Sequence, residues 1–209
     1  MIAEALAGKR IAVTGGTGFL GTALLERLLR SVPGCEVVAL IRPGKRTAAA
    51  ERARREVLRN DCFDRLRSEL GDNFDEEITR RFQVVAGDVT IDGLGLSDAD
   101  RELFCSADVV IHSAAAVSFD SPLDGAVEVN LLGPVRVAQT LRDNGSSAHL
   151  VAVSTAYVAG LRRGDAPEAE LADTPFSTDV DWRSEVDAAR RARADTDAVS
   201  RHPQHLARF

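Results

Sequence analysis

The stretch RIAVTGGTGFLGTALLERLLR, Arg10–Arg30, decides the fold. Arg10–Thr14 is a short, nearly apolar strand candidate, and a glycine-rich turn follows it at once. From Phe19 to Arg30 the spacing turns helical, with Leu20, Leu24, Leu25 and Leu28 on one side and Glu26, Arg27 and Arg30 on the other. Gly16, Gly18 and Gly21 fit the G-x-G-x-x-G spacing, and Thr14, Gly15, Gly18 and Gly21 fit the shifted form T-G-x-x-G-x-x-G. Glycine allows a tight turn and lets backbone N–H groups approach a pyrophosphate, which then faces the positive end of the helix. The strand before the turn and the helix after it supply the context that such a motif requires. Thr14, Gly15, Gly16, Thr17, Gly18, Phe19, Leu20 and Gly21 are therefore the first cofactor-binding candidates. A glycine turn without a ligand, or one serving another nucleotide, is the competing reading.

Outward from this unit the pattern repeats. Strand candidates are Glu36–Ile41, Phe82–Ala86, Asp108–His112 and His149–Ser154, each short, rich in Val and Ile, and apolar enough to lie buried on both faces of a parallel sheet. Helical patterns run over about Thr47–Leu70, Ser97–Cys105 and Leu123–Asp143. This alternation predicts an α/β, doubly wound parallel sheet of Rossmann type with strand order 3-2-1-4-5. After Gly160 the chain becomes charged and Ala-rich, with a helix expected from about Arg183 to Val199 and no further apolar strand. The expected division is a dinucleotide-binding domain over residues 1–160 and a tail or linker over 161–209, leaving the sheet incomplete.

Composition narrows the function. The chain has 209 residues, 44% hydrophobic, and a formal net charge of −6, which argues against a general nucleic-acid binder. No apolar run approaches the ~20 residues of a membrane span. Cys35, Cys62 and Cys105 are isolated and suit buried, reduced thiols in a cytoplasmic protein, with neither a disulfide framework nor a metal site.

Three more strand ends carry candidates. Arg42 follows the second strand, where an acidic residue would hold ribose hydroxyls and an arginine accommodates a 2′-phosphate, so NADPH is expected over NADH. Arg52 is a second cation within reach; most of the other arginines between Arg46 and Arg67 read as a solvated helix face, with Glu51–Arg55 and Glu56–Arg59 spaced for pairing. Asp88 and Val89 follow the third strand, where an Asp can accept from the adenine amino group. Ala114, Ala115 and Ala116 follow the fourth, small enough to let a cofactor lie on backbone, and His112 before them reads as a hydrogen-bonded structural histidine.

TGGTGFLG, ALIRP, AGDVT, LGLSD, DVVIHSAAAVSFD, VNLLGP and VSTAYVAG, in that order, resemble the extended short-chain dehydrogenase/reductases. The long charged helix after ALIRP narrows the resemblance to fatty acyl-CoA reductases and thioester-reductase domains, over about Lys9–Gly160. The resemblance implies NADPH, an acyl-CoA or acyl-thioester substrate, a Ser or Thr hydroxyl, and a Tyr-x-x-x-Lys pair that donates the proton and holds the nicotinamide ribose. Thr155 takes the hydroxyl position, with Ser154 beside it. The pair has no match: Tyr157 is the sole tyrosine, Leu161 stands four residues on, and no lysine follows Lys45. The expectation is the N-terminal portion of such a reductase, inactive alone. A non-catalytic NADP(H)-binding protein and a nucleotide-sugar enzyme of the same superfamily are the alternatives.

Overall fold

The computed structural model describes residues 2–118, 120–155, 163–174 and 179–200. A short helix α1 (Ile2–Ala5) precedes β1 (Arg10–Thr14), α2 (Phe19–Ser31) and β2 (Glu36–Ile41). Then come α3 (Ala49–Arg52), a π-helical turn (Ala53–Leu58), α4 (Asp64–Leu70), α5 (Phe74–Arg81) and β3 (Phe82–Ala86). After these lie α6 (Asp98–Cys105), β4 (Val109–His112), α7 (Leu123–Ala126), a second π-helical turn (Val127–Leu131), α8 (Leu132–Asp143), β5 (His149–Ala152) and α9 (Trp182–Ser200).

The five strands form one parallel sheet in the order β3-β2-β1-β4-β5, as expected. Alternate residues of each strand face opposite layers. Ile11, Val13, Val37, Ala39 and Ile41 pack with Leu25, Leu28, Val57 and Phe63 on one side. Ala12, Val38, Leu40, Val85 and Val110 pack with Leu94, Phe104, Val137 and Leu141 on the other. The sequence steps from β1 outward to β3 and then crosses to β4, so the reversal of strand order falls beside β1, where open α/β sheets bind ligands.

Several elements depart from the sequence reading. The helix expected over Thr47–Leu70 is broken: Asn60 Oδ1 accepts from Cys62 N at 2.9 Å, and Arg67 folds its guanidinium back onto the carbonyls of Leu58 and Asn60. Glu56 pairs with Arg52 and Arg55 instead of Arg59. The buried face of α2 is rotated to Leu25, Leu28 and Leu29, while Glu26 is buried against Arg30. β5 is two residues shorter than expected and largely exposed, whereas β3, at the other edge of the sheet, is half-buried. Cys35 is buried, but Cys62 is exposed at the start of a tight turn.

The chain forms two compact units, Met1–Phe119 with Glu128–Val153, and Asp120–Val127 with Ser154–Phe209. The first holds the sheet. In the second, α7 contacts α9, which buries Val186 and Ala189. No described helix is long and apolar enough to cross a membrane.

Candidate dinucleotide site

Within the sheet unit a crevice of about 340 Å³ opens at the C-terminal ends of β1, β2, β3 and β4. The turn after β1 supplies Gly15, Gly16, Thr17 and Gly18. The end of β2 supplies Leu40, Ile41 and Arg42, with Arg52 from α3. Gly87, Asp88, Val89 and Thr90 come from the loop after β3, and Ser113, Ala114, Ala115 and Ala116 from the loop after β4. Val129 closes one side from the second π-helical turn. Four chain segments far apart in sequence thus deliver eleven of the expected residues to one cleft: Gly15, Gly16, Thr17, Gly18, Arg42, Arg52, Asp88, Val89, Ala114, Ala115 and Ala116.

The glycine turn is shaped by contacts that only glycine permits. Gly15 has φ +75, and a Cβ there would stand 2.6 Å from Ala114 N, so the turn lies directly on the loop after β4. A Cβ on Gly21 would overlap the Gly15 carbonyl oxygen. Gly18 N donates to Gly15 O at 2.9 Å, and the Thr22 hydroxyl donates to Gly16 O at 3.0 Å. Helix α2 starts at Phe19 with no side-chain cap on Gly18, leaving the N–H groups of its first turn to a ligand. This cradle fits the pyrophosphate of a dinucleotide.

Four expected residues lie outside the crevice lining. Thr14 is fully buried; its hydroxyl is engaged by His112 Nδ1 at 2.8 Å and by Ala114 N at 3.3 Å, so it ties β1 to the exit of β4. The Phe19 side chain is 99% exposed and Leu20 half-exposed, so only their backbone can face a phosphate. Gly21 acts from beneath, through its close approach to Gly15. His112 is buried on its strand, and that burial lowers its pKa from the ordinary histidine value.

Charge is arranged across the mouth. Asp88 Oδ1 accepts from Thr90 N at 2.9 Å and from the Thr90 hydroxyl at 2.8 Å. Asp88 Oδ2 is 3.9 Å from an Arg42 guanidinium nitrogen, whose side chain is 65% exposed. Arg52 donates to the Arg42 carbonyl and grips Glu56 with two nitrogens, at 3.1 and 2.7 Å. Hydrogen bonds from Arg52 first, then Arg55, bring the Glu56 carboxyl down to about 2.

Two contributors escaped the sequence reading. Asn130 pairs with both backbone groups of Ala116, accepting from its N–H at 2.8 Å and donating to its carbonyl at 2.9 Å. Its motif, VNLLGP, was visible, but only the fold brings it to the exit of β4. Arg136, buried on α8, braces the two loops behind Val89 and Val129. Thr155 is exposed and belongs to the second unit; Tyr157 and Leu161 lie outside the described residues. Among the described residues no three His, Cys, Asp or Glu side chains gather as metal ligands.

A parallel sheet with this crevice at its switch point places the chain among the doubly wound, Rossmann-like folds. The chain belongs to the male sterility protein family, which residues 13–201 match. It is 34% identical over 163 residues to fatty acyl-CoA reductase 1 of Arabidopsis thaliana, covering 76% of this chain and 33% of that protein. With fatty acyl-CoA reductase 1 of Mus musculus the identity is 37% over 160 residues, 75% of this chain and 30% of the relative. The terminal R domain from the myxalamid PKS-NRPS biosynthetic pathway superimposes with a TM-score of 0.58 at 30% identity, covering 82% of this chain and 40% of that one. The chain thus spans about a third of the length of these curated relatives.

Proposed function

We propose that these residues form the NADPH-binding region of a reductase acting on fatty acyl-CoA or a related acyl thioester. The observation that carries the proposal is the meeting of the glycine cradle, Arg42 and Asp88 in one crevice. The cradle would hold the pyrophosphate, Asp88 Oδ2 would accept from the adenine amino group, and Ala114–Ala116 would offer a flat wall to the cofactor. Arg42 would pair with the 2′-phosphate, with Arg52 behind it. Because Glu56 neutralises Arg52, Arg42 would provide most of the discrimination.

When bound, the nicotinamide supplies a hydride to the thioester carbonyl carbon. The Thr155 hydroxyl would donate a hydrogen bond to the oxygen on which negative charge develops. Protonation of that oxygen gives a hemithioacetal; breaking its C–S bond releases the thiol and leaves an aldehyde. The residues of this chain include no Tyr-x-x-x-Lys pair to supply the proton, so the chain alone would bind cofactor without turning over. Free thiols at Cys35, Cys62 and Cys105 fit a reducing compartment such as the cytosol.

The test is a fluorescence titration of the chain with NADPH and NADH. Tighter binding of NADPH, with the preference lost in Arg42→Ala, supports the assignment. An unchanged ratio in that variant refutes the phosphate role of Arg42.

A further inference from the structure

We infer that Arg136 is the positioning residue for adenine recognition, acting through the loop that carries Asp88; the inference rests on the dinucleotide site proposed above. Arg136 reaches in two directions from α8. Its Nε donates to Asp92 Oδ1 at 2.9 Å, while its two terminal nitrogens donate to the Glu128 carbonyl at 3.1 Å and the Glu128 carboxylate at 2.6 Å. The Arg136 side chain is 10% exposed and Glu128 26%, so that arm works in a shielded setting, while Asp92 meets it from solvent at 96% exposure.

The loop that it holds is strained. Gly93, Leu94 and Gly95 follow one another at φ +64, +60 and +60, and Leu94 is the non-glycine residue with positive φ among the described residues. A side chain in that region persists only when its surroundings enforce it. Leu94 is held from within by complete burial, and the tight turn is held from outside by the grip of Arg136 on Asp92, its first residue. The Leu94 carbonyl in turn accepts from Asp88 N at 2.8 Å. Asp88 Oδ1 is engaged by Thr90, while Oδ2, 3.9 Å from an Arg42 nitrogen, is the oxygen that would accept from the adenine amino group. The other arm of Arg136 fixes Glu128 in the turn that bears Val129, another residue of the crevice lining. One guanidinium therefore sets the relation between Asp88 and Val129.

The experiment compares the chain with Arg136→Lys and Asp92→Ala, because Lys lacks the fork geometry, Ala removes the Asp92 acceptor, and the Asp92 side chain is 96% exposed, so both variants should fold. Affinities are measured for NADPH, for its hypoxanthine analogue lacking the adenine amino group, and for NADH. The expected result is a preference of the unaltered chain for adenine over hypoxanthine of about tenfold, the worth of one hydrogen bond, reduced at least threefold in each variant. The NADPH-to-NADH ratio should stay as it was. An unchanged adenine-to-hypoxanthine ratio, with or without lower thermal stability, would mean Arg136 is merely structural and overturns the inference. So would an unaltered chain that binds both base forms equally. Failure of the unaltered chain to bind any of the three would instead remove the dinucleotide site itself.

Discussion

Replacing Gly21 with alanine tests the cradle most sharply. A methyl group at that position overlaps the Gly15 carbonyl oxygen and stands 2.7 Å from Gly15 C and 2.9 Å from Gly16 Cα. All three are backbone atoms, so no side chain can swing away, and the turn must retreat by roughly 1 Å to restore carbon contacts of about 3.5–4.0 Å. Such overpacking costs about 1–3 kcal/mol. The better helix propensity of alanine in α2 offsets up to about 1 kcal/mol of that. A net loss of about 1–2 kcal/mol should lower the unfolding midpoint by roughly 2–8 °C at this chain length. Moving N–H donors away from a charged pyrophosphate should weaken NADPH by about 10- to 100-fold, the worth of a charge-assisted hydrogen bond. Gly133 is the matched control: it too is buried in a helix beside the crevice, but its Cβ would meet only Val89 side-chain atoms at 3.5 and 3.6 Å and Glu128 O at 3.9 Å. Gly133→Ala should therefore be neutral or stabilising by up to about 1 kcal/mol. Both variants are followed by thermal unfolding and NADPH titration. If Gly21→Ala melts with the unaltered chain and binds NADPH within a factor of two, the close-approach argument is wrong.

Other predictions follow from individual contacts. Leu94→Ala keeps the positive φ and empties a buried site, at a cost of about 2–5 kcal/mol. Leu94→Gly should be less damaging than Leu94→Ala by about 1 kcal/mol, because glycine relieves the backbone, and urea unfolding that ranks them the other way refutes the strain argument. Asn130→Ala, which frees both backbone groups of Ala116, should lower stability by about 1 kcal/mol and weaken NADPH severalfold in the same assays; wild-type affinity in this variant would remove Asn130 from the site. For His112, burial holds the folded-state pKa below the unfolded one, so the unfolded chain binds more protons. Stability should be fully present above the unfolded pKa and fall as pH drops through the folded one, with a slope of at most about 1.4 kcal/mol per pH unit. Thermal melts from pH 7.5 to 5 should show that slope reduced in His112→Gln, and an identical slope in both proteins contradicts it.

Strands with continuous apolar runs were the easiest to read. β1 and β2, buried almost throughout, and β3, half-buried at an edge of the sheet, stand where their Val-rich runs predict. β5 has a similarly apolar run but is largely exposed among the described residues, which no local pattern encodes. Helix α5 went unread, though its ends carry the charge signature of a helix: Asp75, Glu76 and Glu77 at the start, Arg80 and Arg81 at the close. The break in the long charged segment depends on Arg67 reaching back to Leu58 and Asn60, a tertiary choice that helical spacing cannot announce. Of the site, the glycine turn, Arg42 and Asp88 were legible because strand ends and glycine spacing mark them. Thr14 belongs to the same motif but lies outside the crevice lining, its hydroxyl engaged by His112 and Ala114 inside the fold. Arg136 sits in an ordinary amphipathic helix, and only its partners 8 and 44 residues away give it a role.

The central claim is that the crevice receives a nicotinamide dinucleotide, and residue-resolved NMR of the isotopically labelled chain during NADPH titration tests it directly. The account predicts saturable shifts at Gly15–Gly18, the first turn of α2, Arg42, Asp88–Val89 and Ala114–Ala116, with smaller ones along the hydroxyl–imidazole contact of Thr14 and His112. Shifts absent from these segments, or concentrated elsewhere on the chain, would contradict it.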